Sequence, residues 1–287
     1  MKYLVLGSSG QIGQALVNTI KKNLNHEVFV FDIENGPTED LRIPNNELLL
    51  SLMKKADFVF FLAFDVGGSR YLKTYQNTYD FITNNMSLMT HTFEALKKSG
   101  TPFIFASSQM ANMSYSSYGL LKSVGEKMTE IMGGLVVKFW NVYGLEHDES
   151  KFHVITDLII KAAKTGTIDL MTDGREERQF LYADDCSACL LQLSNRYDDI
   201  PRDRKLHITN FIWHSVLDVA SIISAHFPGS QVIPNIKKDE VQQNKRNEPD
   251  PYILTHWEPT TDLEQGIEKI VREMKTYPEL FSGMPLK

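Results

Sequence analysis

Short, unbroken apolar runs alternate with amphipathic stretches through the first half of the chain. The runs at 3–6, 28–31, 58–63, 102–106 and 135–139 predict strands. Apolar residues at helical spacing over 11–23, 46–54, 80–98 and 118–131 predict the helices between them. Runs without a polar alternate suit strands covered on both faces. Strand and helix in regular succession predict an α/β protein, a doubly wound parallel sheet with helices on either side. After Gly144 the alternation lapses. Residues 153–163, 214–225 and 262–277 are predicted helical, 181–193 reads as a return to the sheet, and the polar, proline-containing stretch 237–251 as a loop. No internal repeat is visible. These later segments are expected to form a smaller lobe over the carboxyl ends of the strands, where open α/β sheets bind their ligands.

The first strand runs straight into Gly7-Ser8-Ser9-Gly10-Gln11-Ile12-Gly13, and a helix follows. In this context the glycines have distinct work: Gly7 for a tight turn, Gly10 for close approach of main chain to a pyrophosphate, Gly13 for close packing of helix on strand. The helix N-terminus favours the phosphate charge. Asp32, at the end of the next strand, is placed to accept hydrogen bonds from both ribose hydroxyls. Its charge would repel a 2′-phosphate, which argues for NAD over NADP. Residues 1–144 are therefore expected to be an NAD-binding domain, with a returning segment near 179–212, and residues 145–178 with 213–287 the smaller substrate-binding lobe.

Composition narrows the class. Of 287 residues, 42% are hydrophobic and 23% charged, an ordinary globular balance. The net charge of −6 comes without any basic block, which speaks against a nucleic-acid partner. No apolar run approaches the roughly 20 residues of a membrane span, and the apolar start is too short for a signal peptide. A soluble, cytoplasmic protein is expected. The two cysteines, Cys186 and Cys189, have no nearby ligating partner, so no metal site is expected; their spacing fits one buried helix face.

Tyr118 and Lys122 lie four residues apart, on one face of a predicted helix. A phenol is a poor base at neutral pH, and a neighbouring cation lowers its pKa. Ser107-Ser108 follows a buried strand about ten residues upstream and can bring a hydroxyl to the same cleft. With the glycine turn, this set resembles the extended short-chain dehydrogenase/reductase family, in its NAD-dependent nucleotide-sugar epimerase/dehydratase branch. The resemblance spans nearly the whole chain. It includes Leu62-Ala63 after the third strand, Asn84-Asn85, the serine strand 103–108, Asn141-Val142-Tyr143-Gly144, the segment from Arg178 to Asp185, and Trp257-Glu258-Pro259 followed by Leu263 to Ile267. Phe64 departs from the family's usual small residue.

The resemblance implies a Rossmann-type fold and a homodimer paired through the helices at 80–98 and 118–131. It implies a role in carbohydrate biosynthesis, with Tyr118 as acid/base, Lys122 lowering its pKa and holding the nicotinamide ribose, and Ser108 bonding the reacting oxygen. Gly7, Ser9, Gly10, Gln11, Ile12, Gly13, Asp32, Leu62, Ala63 and Asn85 would line the cofactor with Tyr118 and Lys122. Asn141 and Arg178 would contact the nucleotide diphosphate. Arg246 is a candidate for the same contact, or an ordinary solvated loop arginine. The Asp-Glu pair of the family's dehydratases is replaced by Gln109 and Met110, which cannot exchange protons. Phe139 to Gly144, Tyr118-Gly119-Leu120 and Val66-Gly67-Gly68 resemble the GDP-mannose 3,5-epimerase branch, but Met110 stands where that branch needs an acid/base. Chemistry needing only hydride transfer remains: 4-epimerisation or 4-dehydrogenation of a nucleotide sugar, a GDP-sugar being one candidate. The alternatives are a 4-keto-sugar reductase and, in another class, a non-catalytic NAD-binding sensor or scaffold.

Overall fold

The structure is a computed structural model and describes residues 1–242 and 247–276. The alternation read in the first half becomes β1 (Lys2–Leu6), α1 (Gln11–Lys21), β2 (Glu27–Phe31), α2 (Glu47–Lys55), β3 (Phe58–Phe61), α3 (Ser69–Tyr75), α4 (Tyr79–Ser99), β4 (Phe103–Ser108), α5 (Ser117–Ile131) and β5 (Leu135–Phe139). Then come β6 (Asn141–Tyr143), α6 (Val154–Thr165), β7 (Thr167–Asp169), β8 (Glu177–Tyr182), α7 (Ala183–Asn195), β9 (Lys205–Ile208), β10 (Trp213–Ser215), α8 (Val216–Ala225), β11 (Gln231–Ile233) and α9 (Leu263–Met274).

Among the described residues the main sheet has six parallel strands in the order β2-β1-β3-β4-β5-β9. Successive side chains of a strand point to opposite faces, so each strand feeds two cores. Tyr3, Val5, Phe58, Phe60, Ile104 and Val137 pack under α1 and α7. Leu4, Leu6, Val59, Phe61 and Phe105 pack under α2, α4 and α5. On this second side Phe61, Phe93 and Phe105 meet with ring centroids 5.2–5.7 Å apart, and each such pair adds roughly 0.5–1.5 kcal/mol beyond area burial. The chain leaves β1 for β2 on one side and returns to β3 on the other. That reversal opens a crevice above the carboxyl end of β1.

The second half departs from the sequence reading in two places. The stretch 181–193 is not a return to the sheet. Leu181 and Tyr182 end β8, which pairs with β6 and β10 in a separate three-stranded sheet, and α7 follows. Cys186, Cys189, Leu190 and Leu193 lie at helical spacing and bury one face of α7 against α1. Both cysteines are free thiols whose pKa burial pushes well up. The strand that does rejoin the main sheet is β9, beside β5. The predicted helix at 214–225 starts later: Trp213–Ser215 forms β10, and Ser215 with Asp218 builds a capping box that begins α8. Helices α6, α8 and α9 close a third core around Ile159, Ile168, Phe180, Ile223 and Ile267, beside the two-stranded pair of β7 and β11.

Candidate active site

A cleft of about 920 Å³ runs over the carboxyl ends of β1, β2, β3, β4 and β5 and along the start of β6. Its first end is the glycine turn. Gly7 sits at φ +84, where a β-carbon would approach the Ala63 amide nitrogen to 2.6 Å, and a methyl at Gly13 would fall onto the Gly7 carbonyl oxygen. The turn thus needs glycine for its own geometry. Gly10 caps α1 without any side-chain hydrogen bond, so the first amides of the helix are left for a ligand. Gln11 ties this turn to β6 through the main chain of Val142 and Gly144. Ser9, Ile12, Leu62 and Ala63 line the cleft alongside the three glycines.

Asp32 immediately follows β2, beside the turn. Its carboxylate accepts from the Ser9 amide at 2.8 Å and from the Glu34 amide at 3.1 Å. Two residues with no signal in the sequence join it. Glu39 accepts from the Asp32 amide at 2.9 Å. Arg42 lines the cleft, but its guanidinium is held by Asp40 at 2.8–3.0 Å, and that pairing keeps the Asp40 carboxyl below its ordinary pKa. With Arg42 neutralised by Asp40, and with Asp32, Glu34 and Glu39 around the cleft end, a 2′-phosphate would meet net negative charge from the described residues there. The residues present fit NAD.

The middle of the cleft holds Ser108, Tyr118 and Lys122. Ser116 caps α5 through the Gly119 amide, which places Tyr118 and Lys122 on the helix's buried face. Ser108, at the end of β4, lies against the phenol. Burial pushes the Tyr118 phenol up to about 12, against a smaller downward pull from its hydrogen bond to Ser108. Burial also pulls Lys122 down to about 7, opposed by the charge of Glu126. The Lys122 ammonium donates to the Ala106 carbonyl at 2.6 Å and sits 3.7 Å from the centre of the Phe64 ring. Phe64 in turn meets Tyr118 edge-on at 5.6 Å. The residue that breaks the sequence pattern therefore packs against both the amine and the phenol ring, which lie 5.8 Å from each other. Beneath them Glu126, one helical turn after Lys122, is fixed by Ser107 at 2.6 Å, Lys138 at 3.1 Å and Lys205 at 2.8 Å.

The other sequence-predicted residues divide. Asn141 opens onto the cleft and donates to the Gln179 carbonyl at 3.2 Å. Arg178, on β8, does not line it; its guanidinium is paired with Asp239. Asn85 is fully buried and binds both main-chain groups of Asp65, so it holds the loop after β3, while Asn84 faces the cleft. Arg246 lies outside the described residues. The far wall is formed by Asp65 to Gly68 and by Glu146 to His153. Among the described residues no cluster of His, Cys, Asp and Glu is placed to hold a metal, and no helix is long and apolar enough to cross a membrane.

The sequence matches the NAD dependent epimerase/dehydratase family over residues 3–209. It is 25% identical to an uncharacterised UDP-glucose epimerase, YtcB, of Bacillus subtilis, over 99% of this chain and 100% of that one. It is 24% identical to a GDP-L-fucose synthase of Sinorhizobium fredii, over 92% of each. Its fold is similar to that of UDP-glucuronic acid 4-epimerase from Bacillus cereus, solved with UDP-glucuronic acid and NAD: the TM-score is 0.81 at 22% identity, covering 96% of this chain and 100% of the other.

Proposed function

The chain belongs to the NAD dependent epimerase/dehydratase family, and on that premise we propose that it acts at the C4 hydroxyl of a nucleotide sugar, as a 4-epimerase or 4-dehydrogenase. One observation carries the reading: Ser108, Tyr118 and Lys122 open on the same cleft as the glycine turn and Asp32. NAD, when bound, supplies the hydride acceptor. Tyr118 takes the hydroxyl proton, Ser108 hydrogen-bonds the reacting oxygen, and Lys122 stabilises the phenolate. Asn141 is placed for the diphosphate. Arg178 would have to leave Asp239 to reach it. We assign cofactor binding to residues 1–144 with β9, and sugar-nucleotide binding to the segments around α6, α8 and α9.

Purified protein with NAD is expected to oxidise or epimerise at least one of UDP-glucose, UDP-glucuronic acid and GDP-mannose at C4, read by chromatography and mass spectrometry. NADP in place of NAD is expected to support at least tenfold less turnover, from charge repulsion at Asp32. No conversion of any of the three, or a preference for NADP, would count against the reading.

A second copy of the chain completes the proposal. Helices α4 and α5 pack side by side, and each leaves large apolar residues in solvent. On α5 these are Leu120, Val124 and Ile131, along one face; on α4 they are Tyr79 and Met86. A homodimer with these helices paired across a two-fold axis would cover them. Light scattering at micromolar concentration is expected to give about twice the mass of the 32.8 kDa chain, and a monomer there would sink the proposal.

A further inference from the structure

The Lys122 ammonium lies among three aromatic rings. Its Nζ sits 3.7 Å from the centre of the Phe64 ring, 5.2 Å from that of Phe105 and 5.8 Å from that of Tyr118. Phe105 belongs to β4, and Tyr118 precedes Lys122 by one turn of α5. Phe64 comes from the segment after β3, where the family's usual residue is small. An ammonium has three N–H donors. Among the described residues the Ala106 carbonyl, at 2.6 Å, is the oxygen that accepts from it. The Phe64 ring, nearest of the three, presents the negative face of its π-system to the charge.

The segment that carries Phe64 is pinned on both sides. Before it, the Leu62 amide donates to the Leu6 carbonyl at 3.0 Å. After it, Asn85 holds the amide and the carbonyl of Asp65 at 2.8 and 3.1 Å. Further along, the Gly68 amide donates to the Lys151 carbonyl at 3.0 Å. A β-carbon at Gly68 would collide with the Phe152 carbonyl oxygen, so the two loops touch through main chain. Few charges support the Lys122 ammonium. Among the described residues Glu126, one turn on along α5, is the anion that acts on it, and Glu126 is itself matched by Lys138 of β5 and Lys205 of β9. Asp65, beside Phe64, is engaged by Tyr71 and Lys151. Tyr118 is the titratable neighbour on the same helix face. Burial drives Lys122 down to about 7 and Glu126 opposes it. A ring face is the kind of apolar surface that favours a cation.

We propose that Phe64 is a positioning residue of this cleft: it completes an aromatic cage that keeps Lys122 an ammonium and holds it beside Tyr118. The proposal rests on the C4 reading above, in which Lys122 stabilises the phenolate. Phe64 moves no proton itself. With a small side chain at 64 the ring nearest the ammonium is gone, and only the more distant Phe105 and Tyr118 rings remain. Lys122 then shifts toward the neutral amine, which cannot support a phenolate. Trimming Phe64 to widen the cleft would therefore be felt at Lys122.

The test follows the Lys122 Cε resonance by NMR through a pH titration of the full chain made with isotope-labelled lysine, the signal being assigned by its loss in Lys122→Met. Phe64 is replaced by pentafluorophenylalanine, which nearly keeps the shape of the ring and reverses the charge on its face. The Lys122 pKa is expected to fall by roughly one unit, as for loss of a cation–π contact of ordinary strength. Phe64→Leu should move it in the same direction, and Phe64→Tyr should restore it; these two decide if the fluorinated protein does not fold. With NAD and UDP-glucose, UDP-glucuronic acid or GDP-mannose, the alkaline limb of the turnover profile should move down by the same amount, with KM for the sugar within a few-fold. A Lys122 pKa unmoved by fluorination, or an alkaline limb that stays in place while the pKa falls, overturns the proposal and spares the C4 reading. A fall in pKa together with no C4 oxidation of any probe by wild type overturns the C4 reading and leaves the cage around Lys122 standing.

Discussion

Tyr118→Phe is expected to lower turnover by ~100- to 10,000-fold, the usual worth of a positioned acid–base group, while NAD affinity changes by no more than a few-fold. The substitution keeps the ring that packs edge-on against Phe64 and removes only the hydroxyl that meets Ser108. It leaves untouched Gly7, Gly10, Gly13 and Asp32, where the cofactor's phosphates and ribose would bind. The pKa of the free site explains why the loss should be large. A phenol pushed up to about 12 by burial holds its proton at neutral pH. On the proposed reading it would become a base only when positive charge is assembled beside it, from Lys122 and from a bound nicotinamide ring. With no phenol, that arrangement has no group to act on. Turnover and calorimetric binding of NAD, measured on one preparation, separate the two effects. An undiminished rate would remove Tyr118 from the chemistry.

Lys122→Met should combine loss of activity with a gain in stability. The folded pKa of Lys122, about 7, lies below the ordinary 10.5 because burial opposes the ammonium. Below pH 7 the side chain is protonated in folded and unfolded chains alike, and the full burial penalty applies. Between pH 7 and 10.5 the folded chain gives up this proton while the unfolded chain keeps it, so the penalty shrinks as pH rises and is gone above 10.5. The gap corresponds to on the order of 5 kcal/mol, reduced by the lost hydrogen bond to Ala106 and the lost contact with Phe64. Methionine fills a similar volume without charge. At pH 6 the melting temperature of the variant is expected to rise by roughly 3 °C or more, and the difference should close toward pH 10. A lower melting temperature at pH 6 would contradict this account. Any residual turnover should need higher pH than wild type, because the phenolate has lost its cation.

The sequence was most informative where burial is symmetrical. Strands such as β3, with Phe58 to Phe61 all buried, give unbroken apolar runs, and the glycine turn has requirements that only glycine meets. Legibility failed where elements are short or contacts distant. The strands β6, β7, β10 and β11 have three residues each, too few for any period to show. In α7, apolar residues follow a strand without a break, and only the buried face at Cys186, Cys189, Leu190 and Leu193 separates helix from sheet. Site residues divided in the same way. Ser108, Tyr118 and Lys122 are close in sequence and anchored to regular elements, so their spacing already implied the one cleft they share. Asn85 has the residue type for a cofactor contact, yet it is spent on the main chain of Asp65. Arg178 is committed to Asp239, sixty-one residues away.

The main-chain contact at Gly68 also bears on how the cleft can be altered. Because no side chain fits between Gly68 and Phe152 and the Gly68 amide donates to the Lys151 carbonyl, a retreat of loop 64–69 or loop 146–153 to admit a bulkier sugar would cost that main-chain contact. Redesign of substrate size therefore has little to gain from loosening that wall. Room has to come from trimming side chains that face the cleft, Phe64 and Met110 first, or from the opposite rim, where Val241 and Gln242 reach over it.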